Sequence, residues 1–459
     1  MSFQLISILT EPIKLTGKDQ NVIQISDQLV KKLQFNKHRT INISIGRKTI
    51  PALVKTKDIP EDTVYFSEDL LKSFYLPIRP HKFHATVLPE IQTLKLGPIV
   101  ALLTDSIEIK NEGPYFRSIH LFCEELQQGI SENGGFFYVF SYDQFLSQGY
   151  YLENGKWTAA QLPVPDVIYN RVHSRALEYK IEFKHFREKV NQLLIPFFND
   201  RFLSKWEVYE HLKGIRSLEA YLPKTKLFSK DHFYEMAQLY DTLFLKPIHG
   251  SQGRNIIKIS RDLETHYSLE TSMKTAPAEK SGTFTLDELF QRIKPLIQNR
   301  IYIIQQGISL MTCQTSSMDF RVLCHQNLDN IWRVTSTVAR IAGEQEFVSN
   351  LARGGTLTRP LTALRSCMNN KNALEVLALM KELALETASI ISRNSSSIIG
   401  ELGIDIGVDQ EEKPWLIEVN SKPSKNFEND LSKIRPSAKA IIQFCTILAF
   451  ETAVIKEDI

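Results

Sequence analysis

The segment "ELGIDIGVDQEEKPWLIEVNSKPS", residues 401–424, carries the densest set of groups able to do chemistry. Asp405 lies in one apolar run; after an acidic turn, a second run carries Glu418 and Asn420. Residues two apart in a strand face the same side, so Glu418 and Asn420 point together. A hairpin would bring Asp405 beside them. Two carboxylates and an amide oxygen on rigid strands make a hard-oxygen site of the kind magnesium takes, together with waters and substrate phosphates. An exposed hairpin with polar residues outward is the plainer reading. It leaves Glu418 inside "WLIEVN", an apolar strand where a lone carboxylate is costly.

A second segment, "LFLKPIHGSQGRNIIKIS" at 243–260, places Lys246 at the end of an apolar run and Gly250-Ser251-Gln252-Gly253 at a bend before another. Backbone N–H groups of such a loop can surround phosphate oxygens, with lysine as a point charge. A loose hairpin turn is the alternative. No Gly-Lys-Ser/Thr precedes a helix, so this is not a P-loop, and the strand that follows excludes a dinucleotide fingerprint. A third segment, 319–355, sets Arg321 and Arg340 in strands and ends in Asn350-x-x-Arg353-Gly354-Gly355. Arginine in a strand suits planar, two-pronged capture of carboxylate or phosphate.

These groups need a scaffold. The 459 residues exceed one ordinary core, and 43% hydrophobic with 23% charged residues is the balance of a globular protein. A net charge of +3 gives no support to nucleic-acid binding. Five scattered cysteines (Cys123, Cys313, Cys324, Cys367, Cys445) form no CxxC pair, which argues against a disulfide framework or a cysteine zinc site and for a reducing compartment. The N-terminus does not read as a signal peptide, and "AIIQFCTILAFETAVI" near the C-terminus is broken by polar residues and reads as a buried helix, not a membrane span.

Three regions follow from the patterning. Residues 1–95 are β-rich, and "VIQISDQLVKKLQF" and "VYFSEDLLKSFYLP" repeat a strand–short helix pattern with Ser26 and Ser67 as N-caps. The repeat suggests a pseudo-symmetric barrel or, equally, two unrelated units. His81 and His84, beside Pro80, read as loop residues. Residues 96–194 alternate strand, helix and strand, with a hairpin at Asn154-Gly155, as in a small parallel α/β domain. From 195 to 459, many antiparallel strands and a long amphipathic helix near 371–393 indicate an α+β domain. The fold class expected is thus a multidomain mixture of α+β and α/β.

The order Lys-Pro…Gly-Ser-x-Gly, Asp-x-Arg, Arg…Asn-x-x-Arg-Gly-Gly, Asp…Glu-x-Asn-x-x-Pro resembles the ATP-grasp superfamily, including its glutamate-ligase branch of amino-acid ligases. Over its whole length, "PDVIYNRVHSR" included, the chain resembles the YheC/YheD group of ATP-grasp proteins, described as endospore coat-associated. The resemblance implies an ATP-grasp fold over 195–459 behind a small α/β domain, with ATP and Mg2+ as cofactors. Lys205 and Lys246 would hold the nucleotide, and Gly250, Ser251, Gln252 and Gly253 would close over its phosphates. Gln305, Gln306 and Ile308 would line the adenine pocket through backbone hydrogen bonds, and Arg321 and Arg340 would face the phosphates or an acyl-phosphate. Asp405, Glu418 and Asn420 would hold magnesium, and Asn350, Arg353, Gly354 and Gly355 would bind substrate.

The activity implied is carboxylate–amine ligation through an acyl-phosphate, on amino acid or peptide substrates. Two alternatives stand beside it: a spore protein that binds nucleotide without turnover, and a phosphotransferase on the same fold. The resemblance also brings spore coat proteins as partners, and a location in the cytoplasm or the spore coat. Two positions depart from the superfamily pattern: Asn255 stands where a third glycine is common, and Pro423-Ser424 where Pro-Gly is common. The second leaves the acceptor open.

Overall fold

A computed structural model of the chain describes residues 5–15, 20–33, 40–89, 91–105, 107–110, 113–250, 253–273, 282–298, 300–313, 316–327, 331–342, 355–425 and 433–454. Its architecture is α+β and multidomain, with an N-terminal β-rich region.

Strands from Ile6–Ile13 to Thr93–Gly97 close into a barrel, with the short helices Asp27–Lys32 and Glu68–Ser73 after corresponding strands. Alternation drives it: in Thr40–Ile45, Ile41, Ile43 and Ile45 are buried while their neighbours are not. The two serine caps differ. Ser26 accepts from Leu29 N, whereas the Ser67 hydroxyl accepts from Val22 N at 3.1 Å and donates to Gln20 O at 2.7 Å, joining two strands instead of capping a helix. His81 and His84 belong to the strand His81–Leu88, not to a loop. Burial lowers the His81 pKa to about 4, so it is a neutral strand residue bonded to Pro77 O.

The next region holds a six-stranded sheet in which Phe136–Ser141, Ile99–Thr104, Val167–Asn170 and Phe197–Phe198 run parallel. The hairpin Gly149–Glu153/Lys156–Ala160 is added at its edge. Asn154 and Gly155 both take positive φ, +50° and +76°, as a two-residue hairpin turn requires.

The barrel and this sheet share one continuous core, in which barrel residues such as Ile43 and Leu96 join Ile99, Ala101 and Phe140. Gly46, at a barrel turn with φ +58°, abuts the middle region so closely that a Cβ there would lie 1.9 Å from Val164 O. Lys95 of the barrel forms a buried ion pair with Asp166. The sheet's other face packs on the helices His120–Asn133 and Pro436–Val454. The C-terminal helix therefore returns to the middle region.

Two further sheets form the site's walls. One is five-stranded, in the order Thr225–Leu227, Tyr302–Gln306, Thr242–Pro247, Ile257–Leu263, His266–Thr271, with helices Lys230–Leu239 and Leu286–Leu296 in its core. The other contains Trp332–Ile341, Ser316–Gln326, Glu401–Val408 and Pro414–Asn420 as antiparallel neighbours. The helix Asn370–Asn394 covers that sheet, burying Val376, Met380, Leu383 and Ile391.

Candidate functional site

Lys205 begins the helix Lys205–Leu212, whose start is fixed by a capping box: Ser204 Oγ accepts from Glu207 N at 3.1 Å and Glu207 reaches back to Ser204 N. Arg201 grips Glu207 with two bonds of 2.8 and 2.6 Å, so the helix end cannot drift. Lys205 N then donates to Ile248 O at 3.0 Å. Its Nζ donates to Gly250 O at 3.2 Å and to Glu418 Oε1 at 2.6 Å. One residue thus touches the glycine loop and the far strand together.

Lys246 projects from Thr242–Pro247 and donates to Gln305 Oε1 at 2.6 Å, while Gln305 Nε2 donates to Thr225 Oγ1 at 2.9 Å. Burial lowers the Lys246 pKa to about 8, the charge of Lys205 adds to the effect, and Glu418 and Asp405 oppose it. The two lysines therefore share one electrostatic neighbourhood with the two carboxylates.

The hairpin of the opposite sheet aligns the predicted metal ligands. Asp405 pairs with Glu418 and Gly403 with Asn420, with a bulge just after Asp405. Gly403 is needed there: a Cβ would meet Pro423 Cβ at 2.8 Å and Arg321 Cδ at 3.2 Å, displacing the arginine from Asp405. Arg321 clasps Asp405 through two bonds, that from Nη2 at 2.8 Å. Arg340 Nη2 lies 3.0 Å from Asp405 Oδ2 and also grips Asp319, with both bonds at 2.6 Å. Asn420 Nδ2 approaches Asp405 Oδ2 at 3.4 Å, leaving its carbonyl oxygen for another partner. Burial alone would raise the Asp405 pKa, but Arg321 and Arg340 hold it below the usual carboxylate range. Burial would lower that of Arg340, but Asp405 and Asp319 hold it above its usual value.

Between the sheets lies a cavity of about 40 Å³ bordered by Lys205, Tyr209, Lys246, Gln305, Leu416 and Glu418. Its lining combines the charged Lys205, Lys246 and Glu418 with the apolar Leu212, Leu222, Ile303 and Leu416. Pockets for organic ligands span roughly 300–1,000 Å³, so the cleft is closed in this conformation.

Lys205, Lys246, Gln305 and Glu418 border this cavity; Asp405 is the strand partner of Glu418, and Arg321, Arg340 and Asn420 contact Asp405. Gln306 and Ile308 do not border the cavity. The Gln306 N–H donates to Lys224 O at 2.8 Å, and its side chain accepts from Lys224 N. Gln305 borders the cavity, with its side chain bonded to Lys246 and Thr225. Gly250 and Gly253 flank the loop and Gly355 precedes the strand Thr356–Thr358; Ser251, Gln252, Asn350, Arg353 and Gly354 lie outside the described residues. Asp319 and Thr225 are additions. Asp319 was legible, since it stands two residues before Arg321 in a strand and must share its face. Thr225 carried no signal.

A buried network backs the site. Glu401, at the start of the Asp405 strand, accepts from Lys425, Tyr169 and Arg171, the last at 3.0 Å, and faces His325 Nε2 at 3.4 Å. Arg171 Nη2 also donates to Pro423 O at 2.9 Å. Burial would raise the Glu401 pKa, yet Lys425, His325 and Arg171 hold it far below the carboxylate range. The chain just after Asn420 is thereby tied to the middle region.

The profile of the YheC/D like ATP-grasp family matches residues 194–448, more than half of the 459, and the chain belongs to that family. It is 27% identical over 398 residues to the endospore coat-associated protein YheD of Bacillus subtilis, covering 84% of this chain and 85% of that one. To the endospore coat-associated protein YheC of the same organism it is 20% identical over 301 residues, 65% of this chain and 80% of the other. Among solved structures it is similar to the ATP-grasp ligase PsnB with minimal precursor, with TM-score 0.44 and 13% identity over 76% of this chain and 99% of that one. It is also similar to D-alanyl-alanine synthetase A of Vibrio cholerae O1 biovar eltor, with TM-score 0.44 and 12% identity over 77% and 99% of the two chains. Among the described residues no helix is long and apolar enough to cross a membrane.

Proposed function

We propose, from membership of this family, that the protein is an ATP- and magnesium-dependent carboxylate–amine ligase acting through an acyl-phosphate. The observation that carries the reading is the Lys205–Glu418 contact, which joins a cation beside the glycine loop to the carboxylate paired with Asp405. Phosphate-binding and metal-binding chemistry thus meet at one point between two sheets. The apolar lining of the cleft suits a planar base and its lysines a polyphosphate.

The donor set fits magnesium by its chemistry: Asp405 and Glu418 offer carboxylate oxygens and Asn420 an amide oxygen. Among the described residues no three His, Cys, Asp or Glu side chains form a metal-holding group, and water and phosphate would supply the remaining ligands. Bound there, the ion would offset negative charge on the phosphate oxygens.

Lys205 exchanges Glu418 for a phosphate oxygen as nucleotide enters, and Lys246 exchanges Gln305. Arg340 and Arg321 lie beside the carboxylates and stabilise charge on the phosphoryl group as the substrate carboxylate attacks the γ-phosphorus and ADP leaves. An amine then attacks the acyl carbon, and inorganic phosphate departs. No side chain serves as a nucleophile. A screen for ADP release with pools of amino acids and peptides tests this reading. Amide product supports it. A phosphate ester product indicates a phosphotransferase, and nucleotide binding without turnover a structural role in the spore.

A further inference from the structure

The strand Val167–Asn170 and the helix Arg175–Glu178 after it belong to the middle region, yet Arg175, first residue of that helix, reaches the chain just before Lys205. Its Nη1 donates to Leu203 O at 3.3 Å, and its Nε is buried without a hydrogen-bond partner among the described residues. The guanidinium carbon lies 4.5 Å from the Phe202 ring centroid, which supports the group from one side. The carboxylates nearest in influence are Glu418 and then Glu178, but these are held by Lys205 and Lys422, each at 2.6 Å. His249, beside the glycine loop, feels Arg175 and Lys205 together, and its ring is 6.2 Å from that of Tyr179. The middle region therefore touches the loop at this point. A five-donor fork, desolvated, stacked on a ring and bonded to one carbonyl, lacks the planar or tetrahedral anion that such a fork is shaped for.

We propose that Arg175 grips an oxyanion at the reacting end of the cleft, and that this oxyanion is the carboxylate of the acid substrate. The inference rests on the ligase reading and adds to it a substrate contact supplied from outside the two-sheet clasp. Two-pronged capture would fix the carboxylate beside the lysines and leave one oxygen for attack on phosphorus.

The test compares wild type with Arg175→Met and Arg175→Lys. Calorimetry with ATP and with ADP, each with magnesium, reports the nucleotide; ADP release against the amino-acid pool reports the acid; melting temperature reports the fold. The proposal expects unchanged affinity for both nucleotides and a KM for the acid raised roughly tenfold or more in Arg175→Met, with partial recovery in Arg175→Lys. Weaker ATP binding with unchanged ADP binding would overturn the carboxylate and assign the γ-phosphate as the oxyanion. Unchanged affinities and KM would overturn the proposal. So would a parallel loss of ATP affinity, ADP affinity and melting temperature, which is the mark of a structural residue. If wild type releases no ADP with any pool, the ligase reading fails and the substrate-carboxylate assignment that rests on it is overturned with it, whereas weaker ATP binding alone in Arg175→Met would keep an oxyanion role and move it to the γ-phosphate.

Discussion

Lys205 Nζ and Glu418 Oε1 are 2.6 Å apart, although they come from a helix before one sheet and a strand of the other. The pair is partly exposed, at 13% and 29% for the two side chains, and ion pairs of that kind contribute about 0–1 kcal/mol. On the proposed function, its value would lie in binding nucleotide and metal. Glu418→Gln should therefore leave the melting temperature of the ligand-free protein almost unchanged. It should also abolish the further rise that magnesium gives in the presence of ATP. A magnesium shift of wild-type size in the variant would remove Glu418 from the metal site.

Lys246 should give the nucleotide affinity a pH dependence. The folded group releases its proton near pH 8, against an ordinary 10.5, so between those values the unfolded chain holds more protons and stability rises with pH. ATP favours the protonated lysine and reverses the trend for binding. Affinity for ATP should fall above pH 8 by up to about tenfold per pH unit. Calorimetry at several pH values should show proton uptake on binding, and Lys246→Met should weaken binding by about 1.5–3 kcal/mol and flatten the profile. A flat wild-type profile from pH 7 to 10 would contradict this.

The barrel shares a hydrophobic core with the middle region, and we expect the two to depend on each other for stability. Lys95 and Asp166 are both almost wholly buried, and Asp166 Oδ2 also accepts from Ile99 N at 2.8 Å. Lys95→Met should destabilise the protein by about 3–5 kcal/mol by leaving the carboxylate buried without its cation. The pair Lys95→Met with Asp166→Asn should recover much of that loss, because the amide oxygen can still accept from Ile99. A chain starting at Pro98 should melt well below the full chain, since it exposes Ile99, Ala101 and Phe140. Denaturant unfolding of the four proteins checks the series.

The hairpin carrying Asp405, Glu418 and Asn420 was legible because strand alternation fixes which residues share a face. The positions of Arg321 and Arg340 in strands were legible for the same reason. The partner of Arg321 was not: it finds Asp405 across 84 residues, and an isolated arginine carries no mark of what neutralises it. The bonds of Gln306 with Lys224 are a tertiary pairing invisible in "IIQQGI". Nor could patterning show that the apolar C-terminal helix crosses back to the middle region, or that a barrel lysine pairs with Asp166, 71 residues away. An apolar face declares burial but not which surface buries it.

The central claim is that a substrate carboxylate is activated by phosphoryl transfer, and trapping with hydroxylamine tests it most directly. The protein is incubated with ATP, magnesium, an amino-acid pool and hydroxylamine, and hydroxamate and ADP are both measured. The account predicts hydroxamate and ADP in equal amounts, both dependent on the pool and both lost in Glu418→Gln. ADP released in a pool-dependent way without hydroxamate, accompanied by a phosphate ester, would contradict it.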